Sequence, residues 1–164
     1  MAYLTGQVLT QADIAALFTS GTYTPTLGNM AIGTGGTPTN TASYTFVGFP
    51  AGGVLTVEGS IKFGTTAPTL PGASVETISL PSGYTMINTD INNLLMSQVI
   101  FNDVSAGAKN FGVLGSATTT TLTFYSSTVS GTLLTTSGIT AAIPFAWAVS
   151  DEIFYRFSCR CTGP

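Results

Sequence analysis

The side chains that could carry out catalysis are few in this chain. Its 164 residues include no histidine, which removes the usual general base, the commonest metal ligand and the ordinary Ser-His or Cys-His nucleophile pair. Asp151 and Glu152 could in principle cleave a glycosidic bond, but neighbours on a β-strand point to opposite faces of the sheet. We therefore expect no enzymatic activity, and a pair of acids distant in sequence is the one arrangement left open.

Two cysteines lie one residue apart, at Cys159 and Cys161. Two thiols are too few for a closed structural zinc site, which takes four ligands. Residues i and i+2 of a strand share a face, so an intrachain disulfide between them would be strained. We expect two reduced cysteines, with an interchain bridge in an extracellular particle as the alternative. The sequence thus assigns no catalytic, cofactor-binding or metal-binding residue.

The remaining motifs indicate structural roles. Trp147, the only tryptophan, lies in the apolar run from Ala141 to Val149, where packing in the core or at a subunit interface is a better interpretation than sugar stacking. The glycine-rich pieces Gly33 to Gly36 and Ala51 to Gly53 lack the Lys-Ser/Thr tail of a phosphate-binding loop, so they are predicted to be turns.

Charge is scarce in this sequence. Charged residues are 7% of the chain, against about 25% in an average soluble protein, and Thr is the most frequent residue. The four basic residues form no patch that could neutralise a phosphate backbone, so we expect no nucleic-acid binding. The sequence contains no apolar run of about 18 residues, the length that a helix needs to cross a membrane. A surface this poor in charged residues is typical of a protein that is covered by copies of itself or by a larger assembly.

One helix is predicted near the start of the chain. Thr10 can cap a helix over Gln11 to Thr19, in which Ile14, Leu17 and Phe18 form an apolar stripe at i, i+3 and i+4. A helix this short needs a surface to pack on, which is either the core of the domain or a neighbouring protein.

From Tyr23 onward, short β-rich runs alternate with clusters of Gly, Pro, Asn and Ser, a spacing typical of a sandwich or barrel. Only a helical turn at Asn88 to Leu95 is predicted to interrupt them. About eight strands indicate an all-β fold, a jelly-roll-like antiparallel β-sandwich. The predicted strands are Ser43 to Phe49, Val54 to Phe63, Val75 to Leu80, Ser97 to Val104, Phe111 to Gly115, Thr121 to Tyr125, Ala141 to Ala148 and Glu152 to Cys161.

Two of these strands show clear alternation between apolar and polar residues, which predicts one buried and one exposed face. In the last strand the charged positions indicate an edge or an exposed face. The residues predicted to face the core are Leu55, Val57, Gly59, Ile61 and Phe63 in the first strand, and Ile153, Tyr155, Phe157 and Cys159 in the second.

Several short motifs occur in an order known from one protein family. Tyr23 to Leu27 (YTPTL) precedes the aromatic strand Tyr44 to Phe46 and then Gly53 to Gly59 (GVLTVEG). This order resembles a module common in phage and prophage fibre-like structural proteins, where a Y-T-P-T-L opening precedes a G-x-V-x-V-x-G strand. Ile78 to Pro81 and the closing aromatic strand through Phe154 and Tyr155 are similar to the same module.

The resemblance implies a non-enzymatic β-sandwich of a virion, often in a trimer or another symmetric ring. Residues 1–20 would be an attachment segment that binds other virion proteins, and residues 21–164 the β-sandwich domain. No catalytic residue or cofactor is carried over with it. The start of the chain lacks the features of a secretory signal, so we expect synthesis in the host cytoplasm and a place in the virion as a tail fibre, head fibre or capsid decoration protein.

Three other functions compete with this interpretation. The first is a receptor-binding or glycan-binding module on the virion, in which loops such as Gly33 to Asn40 or Ala117 to Thr121 would contact a host polysaccharide. The second is a bacterial adhesin or pilus-like subunit, which the missing secretion signal disfavours. The third is a polysaccharide depolymerase, which the small size and the sparse acids disfavour.

Overall fold

The computed structural model describes residues 10–15, 17–72, 76–87, 94–130 and 133–164. Within these ranges the chain is almost entirely antiparallel β-sheet, which confirms the all-β, antiparallel fold class. A short helix, α1, spans Gln11–Ala15. The strands are β1 (Phe18–Tyr23), β2 (Thr39–Phe49), β3 (Gly52–Lys62), β4 (Thr77–Ser79), β5 (Thr85–Met86), β6 (Leu94–Asp103), β7 (Ala108–Ser116), β8 (Thr121–Ser130), β9 (Leu133–Gly138) and β10 (Glu152–Thr162).

All ten strands belong to one sheet, against the eight or so predicted. Eight of them follow one another in the order β1-β2-β3-β10-β6-β7-β8-β4. β5 pairs with the end of β10, and β9 pairs with β8. The C-terminal strand β10 therefore lies in the middle of the sheet, between the hairpin strand β3 and the later strand β6.

The two ends of this strand order meet. After β1 the chain continues through Thr26 and Gly28, and this segment pairs with β4. Gly28 donates its backbone N–H to the carbonyl oxygen of Thr77 (2.8 Å), and Ser79 donates to that of Thr26 (3.0 Å). The sheet therefore closes on itself, which leaves few unpaired strand edges.

The core lies inside the closed sheet. Leu55, Val57 and Ile61 of β3 are fully buried, as their alternation predicts. Tyr155 of β10 contacts Phe124 of β8, with 6.0 Å between the ring centroids. β10 and β8 are three positions apart in the strand order, which would separate them by about 14 Å in a flat sheet. The two halves of the sheet therefore fold over each other as the layers of a sandwich.

The alternation predicted for β10 is also confirmed. Its central position shows that the charged residues mark an exposed face and not an edge. Ser158 alternates with the inward residues of β10 and is nevertheless buried, and its hydroxyl forms a hydrogen bond with that of Thr56 (2.9 Å). The inward residues Ile153, Tyr155, Phe157 and Cys159 are buried, and the outward residues Phe154, Arg156 and Arg160 are exposed.

The predicted helix is too long at its C-terminal end. α1 ends at Ala15, and Phe18 and Thr19 belong to β1. Leu17 accepts a hydrogen bond from the backbone N–H of Gly48 (2.9 Å), so the chain is already tied to β2 at this point. The sheet thus begins three residues before Gly21, where the predicted domain begins.

The predicted strand over Ala141 to Ala148 is wrong. This segment is a loop that contains the cis peptide bond Ile143-Pro144 and a short bridge between Thr140 and Ile143. Its apolar residues are explained by contacts of the loop with the core, so strand periodicity is not required.

Three strands were not predicted: β1, β5 and β9. β1 and β9 are rich in Thr, Ser and Gly, so hydrophobic alternation does not mark them. Of the helical turn predicted at Asn88 to Leu95, the first six residues lie outside the described ranges, and the last two belong to β6.

Replacing Val57 by Asp tests the assignment of the inward face of β3. We expect the variant not to fold, because an unpaired buried carboxylate costs several kcal/mol and total stability is only about 5–15 kcal/mol. Thr45→Asp, at an exposed position on the neighbouring strand β2, is the matched control and should fold normally. Circular dichroism and soluble yield would measure both. A folded Val57→Asp protein would contradict the assigned face.

Candidate binding surfaces

The adjacent acids point to opposite sides of the sheet, as predicted. Asp151 is buried, and its carboxylate accepts the backbone N–H groups of Val104 (3.0 Å) and Ala148 (2.8 Å). Glu152 lies on the outer face, where it accepts the side-chain amide of Asn102 (2.9 Å). The two carboxylates therefore do not share a site, and Asp151 serves to join β10 to two loops.

Glu76 is the second fully buried carboxylate, and it accepts the backbone N–H of Gly72 at 3.0 Å. Burial raises the pKa of both Glu76 and Asp151, and the backbone N–H bonds only partly oppose this. Asp103 behaves in the opposite way, because hydrogen bonds from the Ala106 backbone and the Ser105 hydroxyl lower its pKa. Buried acids of both kinds thus make stability depend on pH.

Cys159 and Cys161 are both free and fully buried, with 3.2 Å between their Sγ atoms. The hydrogen bond between the thiols and the burial raise the pKa of Cys159. Because neither sulfur reaches the surface, the geometry favours reduced cysteines over a bridge to another chain.

Trp147 is part of the core. Its indole N–H donates to the carbonyl oxygens of Thr140 (2.9 Å) and Ile143 (3.2 Å). Its ring packs against Phe63 and Phe101, with 5.9 Å between centroids in each case. Packing is therefore the correct interpretation, and the ring is not exposed for a sugar.

The two loops that were candidates for glycan contact lie at opposite ends of the sheet. Gly33 to Asn40 leads into the start of β2, which pairs with the end of β3. Ala117 to Thr121 connects β7 and β8 at the other end. In the latter loop the hydroxyls of Thr118 and Thr121 bond each other at 2.8 Å. The loops cannot form one site.

Exposed apolar side chains gather at one end of the sheet, around the β2–β3 hairpin. Val47 pairs with Phe18 of β1, and Phe49 pairs with Gly52, close to Ile87. We call this surface the end patch. Its members, which are between 44% and 56% exposed, are Ile14, Phe18, Val47, Phe49 and Ile87.

A groove of about 720 Å³ crosses the outer face of β1, β2 and β3. This size lies within the usual range for ligand sites. We call it the hydroxyl groove, because five of its lining residues carry hydroxyls on short side chains. It is lined by Thr22, Tyr23, Thr24, Thr41, Ala42, Ser43, Glu58, Gly59 and Ser60.

A second depression, of about 300 Å³, lies over β3, β10 and β6. It shares Glu58 and Gly59 with the hydroxyl groove, so the two adjoin. We call it the aromatic hollow after Phe154, which is 42% exposed. Its other lining residues are Gln98, Ile100, Tyr155 and Arg156.

The exposed charges that the structure describes all lie on the outer face of the sheet. Two pairs neutralise each other there: Arg156 Nε lies 2.9 Å from Glu58 Oε1, and Lys62 Nζ lies 3.7 Å from Glu152 Oε1. Lys109 and Arg160 are the other two exposed charges. In the sequence, only the alternation of apolar and polar residues in β3 and β10 predicts this exposed face, and no sequence feature predicts the grooves on it.

Among the described residues, no cluster of three or more His, Cys, Asp or Glu side chains could hold a metal ion. No helix in the described ranges is long and apolar enough to cross a membrane. No family model, curated protein or solved structure matches the chain. The resemblance to phage fibre-like proteins therefore remains a prediction based on its short motifs.

Removing the Asp151 carboxylate should loosen the two loops that it holds. Asp151→Ala leaves two backbone N–H groups without acceptors, so we expect a loss of about 3 kcal/mol, or roughly 6–12 °C in melting temperature. Asp151→Asn keeps one acceptor oxygen and should lose less. Calorimetry would measure both, and an unchanged melting temperature in the alanine variant would contradict this role.

Stability should increase on mild acidification. The folded-state pKa values of Glu76 and Asp151 are raised above their ordinary values of 4.5 and 3.8. At pH values between the ordinary pKa and the raised pKa of these carboxyl groups, the folded state therefore binds more protons than the unfolded state. As pH falls through this window, the free energy of unfolding should rise. Below the ordinary value of 3.8 the lowered pKa of Asp103 acts in the opposite direction.

Urea unfolding at several pH values would measure this dependence. The variant Glu76→Gln/Asp151→Asn removes both titrating groups, so its stability should change much less as pH falls from neutral toward the ordinary pKa of 4.5 of a Glu side chain. An equal pH dependence in the variant and the natural chain would show that other groups are responsible.

Proposed function

We propose that this chain is a non-enzymatic structural module of a bacteriophage particle that works as a homo-oligomer. The observation that carries the assembly role is the end patch, whose five apolar side chains are all exposed. Exposed apolar side chains that gather at one place on a surface commonly mark a site that binds another protein. The attribution to a virion rests on the resemblance of the YTPTL and GVLTVEG motifs.

A second copy of the chain is the partner that this surface suits. β1 lies at one side of the patch, and along Phe18 to Thr22 its outer edge pairs with no other strand in the part of the chain that the structure describes. An unpaired edge offers backbone N–H and C=O groups to another strand. A strand edge beside apolar side chains therefore supports pairing between copies, and the resemblance implies a trimer or another ring.

The distribution of charge supports the same proposal. Arg160 lies near the patch without belonging to it, since it pairs across the sheet with Val54, the neighbour of Val47. The patch itself carries no charged side chain that would have to lose its hydration on assembly. Obligate interfaces between subunits are apolar in this way.

The outer-face acids support a non-enzymatic role. Cleavage of a glycosidic bond takes two carboxylates on either side of the bond. Among the described residues that line the hydroxyl groove and the aromatic hollow, Glu58 is the only acidic one. Its partner there is Arg156, which holds it in an ion pair.

Light scattering of the purified protein tests the assembly role. We expect a discrete oligomer for the natural chain and a smaller mass for Val47→Thr/Phe49→Thr, which replaces apolar contacts in the patch while keeping β-forming residues. Phe111→Thr is the control, because Phe111 is 57% exposed but lies on β7, four strands away from β2. A monomeric natural chain, or a double variant of unchanged mass, would refute the proposal.

A further inference from the structure

We propose that the hydroxyl groove and the adjoining aromatic hollow form one binding site for a neutral oligosaccharide chain. This inference does not depend on the end patch, which lies at one end of the outer face. The register places Val47 four residues along β2 from Ser43 in the groove, about 13 Å away. Assembly through the patch therefore leaves the outer face of β2 and β3 in the groove open, and strand pairing along β1 would reach the groove only at its border, at Thr22.

The hydroxyls of the groove are available to a ligand. Thr22, Thr41 and Ser43 are exposed, and within the described part of the chain their side chains make no hydrogen bond with one another or with neighbours. This differs from the Ala117 to Thr121 loop, where hydroxyls satisfy each other. A hydroxyl both donates and accepts, so a row of free hydroxyls matches the repeated hydroxyls of a sugar chain.

The charge of the site favours a neutral ligand. Glu58 and Arg156 stand where the groove and the hollow meet, and their side chains are 55% and 54% exposed. Because the two charges lie 2.9 Å apart, they largely cancel at longer range. Both groups still offer several acceptors and donors to sugar hydroxyls, whereas an anionic or cationic ligand would gain little net attraction.

The aromatic hollow supplies an apolar surface beside these polar groups. Phe154 and Ile100 are direct neighbours across β10 and β6, and Ser60 of the groove is the neighbour of Phe154 on β3. A pyranose ring has one face of C–H groups and a rim of hydroxyls, so it can pack its apolar face on an exposed aromatic ring while its rim forms hydrogen bonds.

The dimensions suit a chain of several sugar rings. The site crosses β1, β2, β3, β10 and β6, which are consecutive in the sheet. Four strand spacings amount to about 19 Å. A linear oligosaccharide lying across the strands would therefore contact the hydroxyls first, then the Glu58–Arg156 pair and then Phe154.

Titration calorimetry with linear hexasaccharides tests this site in the full chain. The probes are maltohexaose and cellohexaose as neutral chains, and a hyaluronan hexasaccharide as an acidic one. We expect saturable binding of at least one neutral probe. Thr22→Val/Thr41→Val keeps the shape of both side chains but removes their hydroxyls, and should weaken binding about tenfold. Phe154→Ala should weaken it by a similar factor.

Two controls separate the site from general effects on the fold. Thr45→Val makes the same change four residues further along β2 from Thr41, outside the groove, and Val149→Ala shortens an exposed apolar side chain that lines neither the groove nor the hollow; both should bind as the natural chain does. The absence of saturable binding to either neutral probe would overturn the proposal. So would equal binding by Thr22→Val/Thr41→Val, or binding of the acidic probe alone. Light scattering of each variant reports assembly independently, so a failure of this site can be distinguished from a failure of the assembly role.

Discussion

The backbone pairing of β10 with β3 and β6 is the interaction on which the rest of the structure depends. β3 belongs to the meander formed by β1 to β3, and β6 begins the meander that continues through β9. The C-terminal strand joins these two units along almost its whole length. It also contributes Ile153, Tyr155 and Phe157 to the core. Without β10 the two units would be joined only where Thr26 to Gly28 pairs with β4, and each would expose an apolar face.

The central position of β10 also determines what the surface displays. Because both edges of β10 are paired, its alternate side chains must point either into the core or out from the middle of the sheet. The register then places Arg156 beside Glu58 on one side and Gln98 on the other. In the next row it places Phe154 between Ser60 and Ile100. A shift of one residue would have put these side chains into the core.

Some elements could be predicted well because their pattern is local. The alternation of β3 and β10 identified both their extent and their buried face. The run from Ala141 to Ala148 was misassigned because its apolar side chains serve a loop that holds Trp147 against Phe63 and Phe101. β9 was missed because its Thr and Ser residues give no hydrophobic alternation, and only its pairing with β8 makes it a strand.

The candidate surfaces were less predictable than the fold. The expectation of a non-enzymatic role comes from composition, since the chain has no histidine and few charged residues. The hydroxyl groove combines side chains from Thr22 to Ser60, and the aromatic hollow adds residues from Gln98 to Arg156. No spacing along the chain indicates that they meet. The loops that the sequence indicates as candidates for glycan contact, Gly33 to Asn40 and Ala117 to Thr121, lie at opposite ends of the sheet.

The sequence by itself thus determined the all-β character, the inward faces of two strands and the scarcity of charge, because composition and alternation are properties of short segments. Only the tertiary structure decided which strands became neighbours, how the sheet closed through Thr26 to Gly28, and where the end patch and the grooves lie. Pairing between β3 and β10 joins residues about a hundred positions apart. The packing of the whole core selects which distant strands pair, and a local sequence pattern does not predict them.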